Sequence, residues 1–255
     1  MDASTIRLIF SLSGLFTFLS WELAAPHHKP TVPRARRWFN NLTLAAVNGV
    51  IVGAICTLCY KLAEGRDYTL LLRLVELPAL PRIVLEVVLL DLVTYVLHHI
   101  YHRVDILWRL HQVHHIDLDL DVTSASRFHA LEVLSSAGIK FAVVLLLGIS
   151  PTGLLASEIA LLLAAQFQHA NIRLPKWLDA ALWWSFVPPS MHRIHHRPTY
   201  ADTNSNYGTV LTIWDRIFRS MRRDAIETVT FGDPAFKSQT DARWRSLIGW
   251  PFTKH

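Results

Sequence analysis

The chain is short of charge. Asp, Glu, Lys and Arg make up 18% of its 255 residues, where a soluble globular domain carries about a quarter. Hydrophobic residues reach 51%, which excludes a disordered chain, because disorder needs low hydrophobicity with high charge. Cysteine is nearly missing. Cys56 and Cys59 are the full set, too few for a disulfide framework. They form a C-x-x-C inside an apolar run and read as small residues of a membrane helix rather than a redox pair. There is no G-x-G-x-x-G dinucleotide fingerprint, no internal repeat and no low-complexity tract. The net charge is +5, but no basic motif is interleaved with aromatics as in an RNA-binding sheet, so nucleic acid is not expected as a partner. The basic residues are clustered: 12 of 25 lie between Arg173 and Lys254, and four between Lys29 and Arg37.

Long apolar runs are present instead. Residues 8–25, 42–60 and 83–101 are each long enough to cross roughly 30 Å of hydrocarbon as a helix. Trp21 and Trp38 flank the first two at interface depth. The third contains Glu86 and Asp91. Residues 70–80, interrupted by Arg73, Glu76 and Pro78, read as interfacial. Residues 133–167, broken by Pro151, read as a helical hairpin of 133–149 and 152–167, weakened by Lys140 and Glu158. The basic, Pro-rich stretch after the first run reads as a retained loop rather than a cleavage site. Its Lys29, Arg34, Arg36 and Arg37 place that loop in the cytoplasm. Helix parity then puts residues 98–129 and 169–255 on the same side. The expected fold is all-α: an integral membrane protein of about four transmembrane helices with a cytoplasmic helical cap, in a bacterial inner membrane or an ER-like membrane. The expected divisions are membrane helices over 1–97, a first cap segment over 98–132, a membrane hairpin over 133–168, and a second cap segment over 169–255.

Fourteen histidines are the chain's other excess. His98 and His102 are spaced i, i+4 and share a helix face. His111, His114 and His115 form one H-x2-HH group, and His192, His195 and His196 form another. One helical face presents the imidazoles of each group toward one point. His169 stands alone at the exit of the hairpin. His27, His28 and His255 read as ordinary side chains. His99 sits about 100° around the helix from His98 and points away. Eight histidines in three helically spaced groups on one side of a membrane call for metal, since neutral imidazole is a good ligand. A zinc site takes about four ligands, so the number implies two metals. The ligand set suits iron, zinc, copper or nickel and does not choose between iron and zinc. Breaking an unactivated C–H bond of a lipid with dioxygen needs a redox-active metal, and that chemistry favours two Fe ions.

At these residues the sequence resembles the fatty acid hydroxylase, or sterol desaturase, superfamily of membrane di-iron oxygenases. The likeness rests on His98–His102, His111–His115 and His192–His196. It extends to Leu107-Trp108-Arg109, Arg127-Phe-His129-Ala-Leu-Glu132, Phe167-Gln-His169-Ala-Asn171, Asn204-Ser-Asn206-Tyr207-Gly208 and Trp214-Asp215-Arg-Ile-Phe218. It covers about residues 91–220, and the layout looks most like the alkylglycerol monooxygenase branch and its bacterial relatives. His99, Arg103 and Ala130 depart from the usual pattern and bear on the subfamily rather than on the metal core. The resemblance implies nine ligands that also form the catalytic set: His98, His102, His111, His114, His115, His169, His192, His195 and His196. His129 and Glu132 are placed behind them. Asp91, Asp202 and Asp215 are further candidate acceptors for imidazole N–H groups.

The activity so implied is hydroxylation or desaturation of a lipid (fatty acyl, sterol-like or ether lipid), with O2 as oxidant. Two electrons come from an external donor such as a ferredoxin, cytochrome or reductase, or a pterin if the ether-lipid branch applies. The competing readings are a membrane metal transporter, which wants ligands near the bilayer midplane and often repeated halves, and a metal-stabilised scaffold without turnover.

Overall fold

The computed structural model describes residues 1–63, 76–223, 230–232 and 243–253. Six helices come first: α1 (Ala3–Ala24), α2 (Arg34–Ala63), α3 (Ala79–Arg103), α4 (Asp105–His115), α5 (Ala130–Leu147) and α6 (Pro151–His169). Short helices follow: α7 (Lys176–Leu182), α8 (Pro189–His195), α9 (Tyr200–Thr203), α10 (Ile213–Ile217) and α11 (Trp244–Gly249). Among the described residues there is no strand, only the isolated bridges Pro26–Ile172 and Phe186–Leu211. The fold is all-α, as the apolar runs require.

Among the described residues four helices are long and apolar enough to cross a membrane: α1, α2 over Arg34–Leu62, α3 and α5. They coincide with the runs at 8–25, 42–60, 83–101 and 133–149. Large apolar side chains such as Phe16 and Val50 stand about three-quarters exposed on their outer faces (73% and 75%), which suits a lipid solvent. The second arm of the hairpin is α6. It carries Ser157, Glu158, Gln166 and Gln168, is not among the four, and packs against both α1 and α3. Of the segment expected to be interfacial, residues 70–75 lie outside the described residues, and Ala79 and Leu80 open α3.

The hairpin turn shows why these residues fold as they do. Gly148 ends α5 in the left-handed region at φ 70°, a conformation that costs glycine little. Ser150 caps α6 by accepting from the Gly153 N–H at 3.0 Å, and Pro151 follows in the first turn, where a missing N–H does no harm. Glu86 reaches the same turn from α3 and accepts from the Ser150 N–H at 3.0 Å and its hydroxyl at 2.6 Å. An acid inside an apolar helix is thereby satisfied. A Cβ at position 153 would lie 1.8 Å from Glu86 Oε2, so only glycine fits.

At the other end of the bundle the connections gather. The His27 N–H donates to Asn171 O at 2.9 Å. The N–H groups of Thr31 and Val32 donate to the Asp119 carboxylate at 3.0 and 2.9 Å. Buried Glu22 accepts from the N–H groups of Val122 and Asn171, both at 3.1 Å. The α1–α2 loop, the α4–α5 connection and the exit of α6 therefore share one end, as helix parity predicts. Arg37 corrects one element of that reading. It is not a loose loop charge but is 5% exposed, with Nε on Asp117 at 2.8 Å and Nη1 on Asp121 at 2.6 Å.

Gly153→Ala is expected to lower the unfolding midpoint in detergent, with a cost of about 1–3 kcal/mol for overpacking. Glu86→Gly removes the whole obstructing side chain, including a Cβ that would stand 2.9 Å from the new one, so adding Gly153→Ala to it should cost little more. Thermal melts of the two single variants and the double variant check this.

Candidate metal centre

The end of the bundle where the loops gather also holds the histidines. His98 and His102 stand in the last two turns of α3. His111, His114 and His115 come from α4, His169 ends α6, and α8 with its C-cap supplies His192, His195 and His196. They form two groups. One comprises His98, His102, His111, His115 and His195, the other His114, His169, His192 and His196, and within each group the candidate ligand atoms lie within 4.8 Å of one another. Eight of the nine rings are buried and His98 is half-buried. The two H-x2-HH segments are crossed over. α4 gives its i, i+4 pair, His111 and His115, to the first group and His114 to the second. α8 gives His192 and His196 to the second group and His195 to the first. The His115 and His196 rings stack across the divide at 4.3 Å.

The donor set fits metal. His98 Nε2, both nitrogens of His102, and His195 Nε2 are buried without a hydrogen-bond partner, a costly state for polar atoms unless something binds them. Nε2–Nε2 separations are 3.2 Å for His111–His115, 2.9 Å for His169–His192 and 3.0 Å for His192–His196. Two imidazole nitrogens at right angles about an ion, with bonds of about 2.1 Å, would lie about 3.0 Å apart. Burial lowers the pKa values of His114, His115, His192 and His196 well below the ordinary 6.5, and that of His195 to about 3; neighbouring imidazoles push the same way. These rings are neutral, the state in which imidazole ligates.

Several outward nitrogens are tied down. His98 Nδ1 donates to Tyr207 O at 2.8 Å, His195 Nδ1 to Ser205 O at 2.6 Å, and His111 Nδ1 to Glu132 Oε1 at 2.6 Å. His114 Nδ1 lies 3.3 Å from Arg127 O, and His169 Nδ1 lies 3.0 Å from Ser124 Oγ. Such bonds fix ring orientation and leave Nε2 free. The Asn204–Gly208 stretch explains its own composition. It supplies two of the carbonyls, turns at Asn206 with φ 54°, and is held by Asp215. That carboxylate accepts from the N–H groups of Tyr207 and Gly208, both at 2.8 Å, and from Ser220 Oγ at 2.6 Å. A Cβ at Gly208 would come 2.8 Å from Asp215 Oδ2 and 2.9 Å from Leu211 O.

Glu132 lies against an imidazole, that of His111. Asp215 does not touch one; it holds the loop whose carbonyls do. Asp91 is further away in function. Its carboxylate accepts from the N–H groups of Val210 and Leu211, both at 3.1 Å, and from Trp214 Nε1 at 2.8 Å, which pins that segment to α3. Asp202 pairs with Arg222 at 2.7 Å and with the Thr199 hydroxyl. His129 belongs to neither metal group. Its Nδ1 caps α5 by accepting from the Leu131 N–H at 3.2 Å, and its Nε2 donates to Ile248 O at 3.0 Å. His99 packs on Tyr207 and Tyr95 outside both groups. His28 lies 3.8 Å from Asp119. His255 and the Cys59 side chain lie outside the described residues.

The reading from sequence missed a buried ion network behind the second group. Arg37 bridges Asp117 and Asp121, while Arg127 Nη1 donates to Asn41 Oδ1 at 2.8 Å and Arg127 Nε to Val113 O at 3.0 Å. Burial pushes the Asp117 carboxyl up, but Arg37 and Arg127 more than offset it and hold it at about 2. The network fixes the chain from His115 to Arg127, including Ser124 and the Arg127 carbonyl that meet His169 and His114. The alternation Asp117-Leu-Asp119-Leu-Asp121 was the available signal, with every second residue acidic immediately after a histidine pair.

A cavity of ≈ 330 Å³ opens beside both groups, a size suited to a small-molecule or chain-binding pocket. Its walls come from α2, α3, α5 and α6, with Ile55, Leu90, Leu97, Phe141, Val144 and Leu161 among them. His98 and His111 of the first group and His114, His169 and His192 of the second line it.

These features define a bundle of helices apolar enough to cross a membrane, with two adjacent all-histidine groups, a candidate paired metal centre, at one end and an apolar cavity leading to them. The chain belongs to the fatty acid hydroxylase family, which residues 83–220 match. It is 26% identical to the ornithine lipid hydroxylase OlsE of Rhizobium tropici over 246 residues, covering 90% of this chain and 68% of that protein. It is 28% identical to the alkylglycerol monooxygenase of Homo sapiens over 54% of this chain and 30% of that protein. For the Xenopus tropicalis alkylglycerol monooxygenase the figures are 30% identity, 49% and 27%. The chain thus spans about a third or less of the length of the alkylglycerol monooxygenases it matches. No solved structure matches it.

Two outcomes are expected. Glu132→Gln should weaken metal retention by about 10–100-fold, read by metal analysis after dialysis against a graded chelator. The buried neutral imidazoles hold pKa values below those of the unfolded chain, so their stabilisation is complete above about pH 6.5 and is lost as pH falls toward about 3. Melts of the metal-free protein between pH 8 and pH 5 should show the midpoint falling as the pH drops below about 6.5.

Proposed function

We propose that this protein is a membrane-bound di-iron oxygenase that hydroxylates, or desaturates, a C–H bond of a lipid, using O2 and electrons from an external donor. One observation carries the reading. Two adjacent groups of imidazoles face the same end of an apolar cavity. Family membership and the hydroxylase and monooxygenase relatives support it.

His98, His102, His111, His115 and His195 would hold one metal, and His114, His169, His192 and His196 the other. When bound, a pair of irons would supply oxygen activation and oxidising power that redox-silent zinc lacks. The rest is the chain's own work. Glu132 and the carbonyls of Tyr207, Ser205 and Arg127 keep the ligating nitrogens aimed inward. The apolar walls take an alkyl chain out of bulk lipid and keep water from the reacting carbon. Fixing that carbon beside the metals lowers the entropic cost of reaction and selects its position. Arg173, Lys176, Arg219 and Arg223 are exposed basic groups of the cap region and suit an acidic electron donor. The basic α1–α2 loop supports a cytoplasmic position for this end. Transport is less well supported, because His98 and His102 stand near the end of α3 at Arg103 rather than at mid-helix.

Protein purified without oxygen from iron-replete cells should contain about two iron ions per chain. With labelled dioxygen and a reductant, a lipid should gain labelled oxygen, or lose two hydrogens if the reaction is desaturation, and His98→Ala should abolish either product. Zinc at both sites, with an unchanged lipid profile on expression, would overturn the proposal.

A further inference from the structure

Away from the histidines and Glu132, the cavity wall carries one charged cluster. Glu158 of α6 accepts from Arg7 Nη1 at 3.4 and 3.5 Å, from the Tyr60 hydroxyl at 3.0 Å and from Cys56 Sγ at 2.5 Å. Its charge is balanced by Arg7. Asp91, the other acid on this side of α3, is occupied by the Val210 and Leu211 N–H groups and Trp214. Lys140 of α5 lines the same cavity, yet among the described residues no carboxylate lies within ion-pairing distance of it. Glu132, the other carboxylate on the cavity wall, is bonded to His111 Nδ1 at 2.6 Å, so among the described residues the Lys140 ammonium has no carboxylate within ion-pairing reach. A lysine on a helix apolar enough to cross a membrane is expensive and marks a functional site by default. Ser136, Ala137 and Ser157 beside it are small and leave room for a ligand's polar group.

We propose that Lys140 binds an anionic group, a carboxylate or a phosphate, of the lipid that occupies this cavity. The proposal rests on the lipid-oxygenase reading above and narrows its substrate class. Glu132, bonded to His111, and Lys140 are eight residues apart on α5, about 12 Å of helix rise. A chain held by its anionic group at Lys140 therefore presents a carbon several methylenes away to the metals, and oxidation falls within the chain rather than next to the charge. The ammonium acts as a specificity determinant and takes no part in the bond-breaking step.

The test uses the full-length, metal-loaded protein in phosphatidylcholine nanodiscs, without oxygen or reductant so that nothing turns over. Three probes with the same alkyl chain, a fatty acid, a monoalkyl phosphate and a fatty alcohol, compete with a fluorescent fatty acid, and signals from empty nanodiscs are subtracted. The wild type should prefer at least one anionic probe to the alcohol by about tenfold or more, as expected for a hydrogen bond to a charged group. Whether acid or phosphate binds more tightly identifies the headgroup. Lys140→Met should remove the preference while leaving alcohol binding unchanged, and Lys140→Arg should keep it. In turnover, Lys140→Met should spread the product over neighbouring carbons. Equal binding of acid, phosphate and alcohol by the wild type overturns the proposal even if the variant does not fold, and so does a preference that survives in Lys140→Met. Oxygenation is measured separately on the wild type. Missing anion preference with oxygenation intact rejects the role of Lys140 alone, whereas anion preference without oxygenation rejects the proposed function.

Discussion

An imidazole can offer its lone pair to a metal only if nothing else claims that nitrogen and no proton sits on it. In this chain both conditions depend on the hydrogen bond made by the other ring nitrogen in a site without bulk water. His98, His195 and His111 each donate from Nδ1 to a fixed oxygen, and most of the end of the bundle exists to hold those oxygens still. The Asn204–Gly208 loop is set by Asp215. The Arg127 carbonyl is set by a buried guanidinium network, and Glu132 by the first turn of α5. Burial of so many polar groups is costly unless most of them find partners. That explains why charged residues, rare over the whole chain, concentrate behind the histidines.

Much of the fold was legible from apolar run length alone. The hairpin break was readable from Gly148, Ser150 and Pro151, whose preferences are local. Helical spacing likewise showed which histidines share a face. The assignment of those faces to two groups was not readable, because it depends on how α4 and α8 lie against each other. His114 and His115 are neighbours in sequence and serve different groups. The partners of Asp91 and Asp215 were not readable for the same reason. Asp91 meets partners some 120 positions along the chain, and composition does not show whether an acid will find an imidazole or a backbone amide. Arg37 was counted with the basic loop residues that set orientation; the carboxylates of Asp117 and Asp121 and the Asp119 carbonyl, some 80 positions along the chain, make it a buried charge.

Family membership and geometry support each other without overlapping. The family match ends at residue 220, yet residues beyond it complete the structure. Leu247 packs with Leu44, Val113 and Ile116, Trp250 donates to Gln112 at 2.9 Å, and the Ile248 carbonyl receives His129. The back of α4, whose front carries three of the histidines, is thus covered by a segment outside the shared region.

The crossed-over arrangement of α4 and α8 has a thermodynamic consequence. Because each of these helices contributes to both groups, an ion held in either group would tether both helices. Ligands of the other position would then hang from the same restrained backbone. Occupancy of one position and affinity at the other would be linked, each by the same factor.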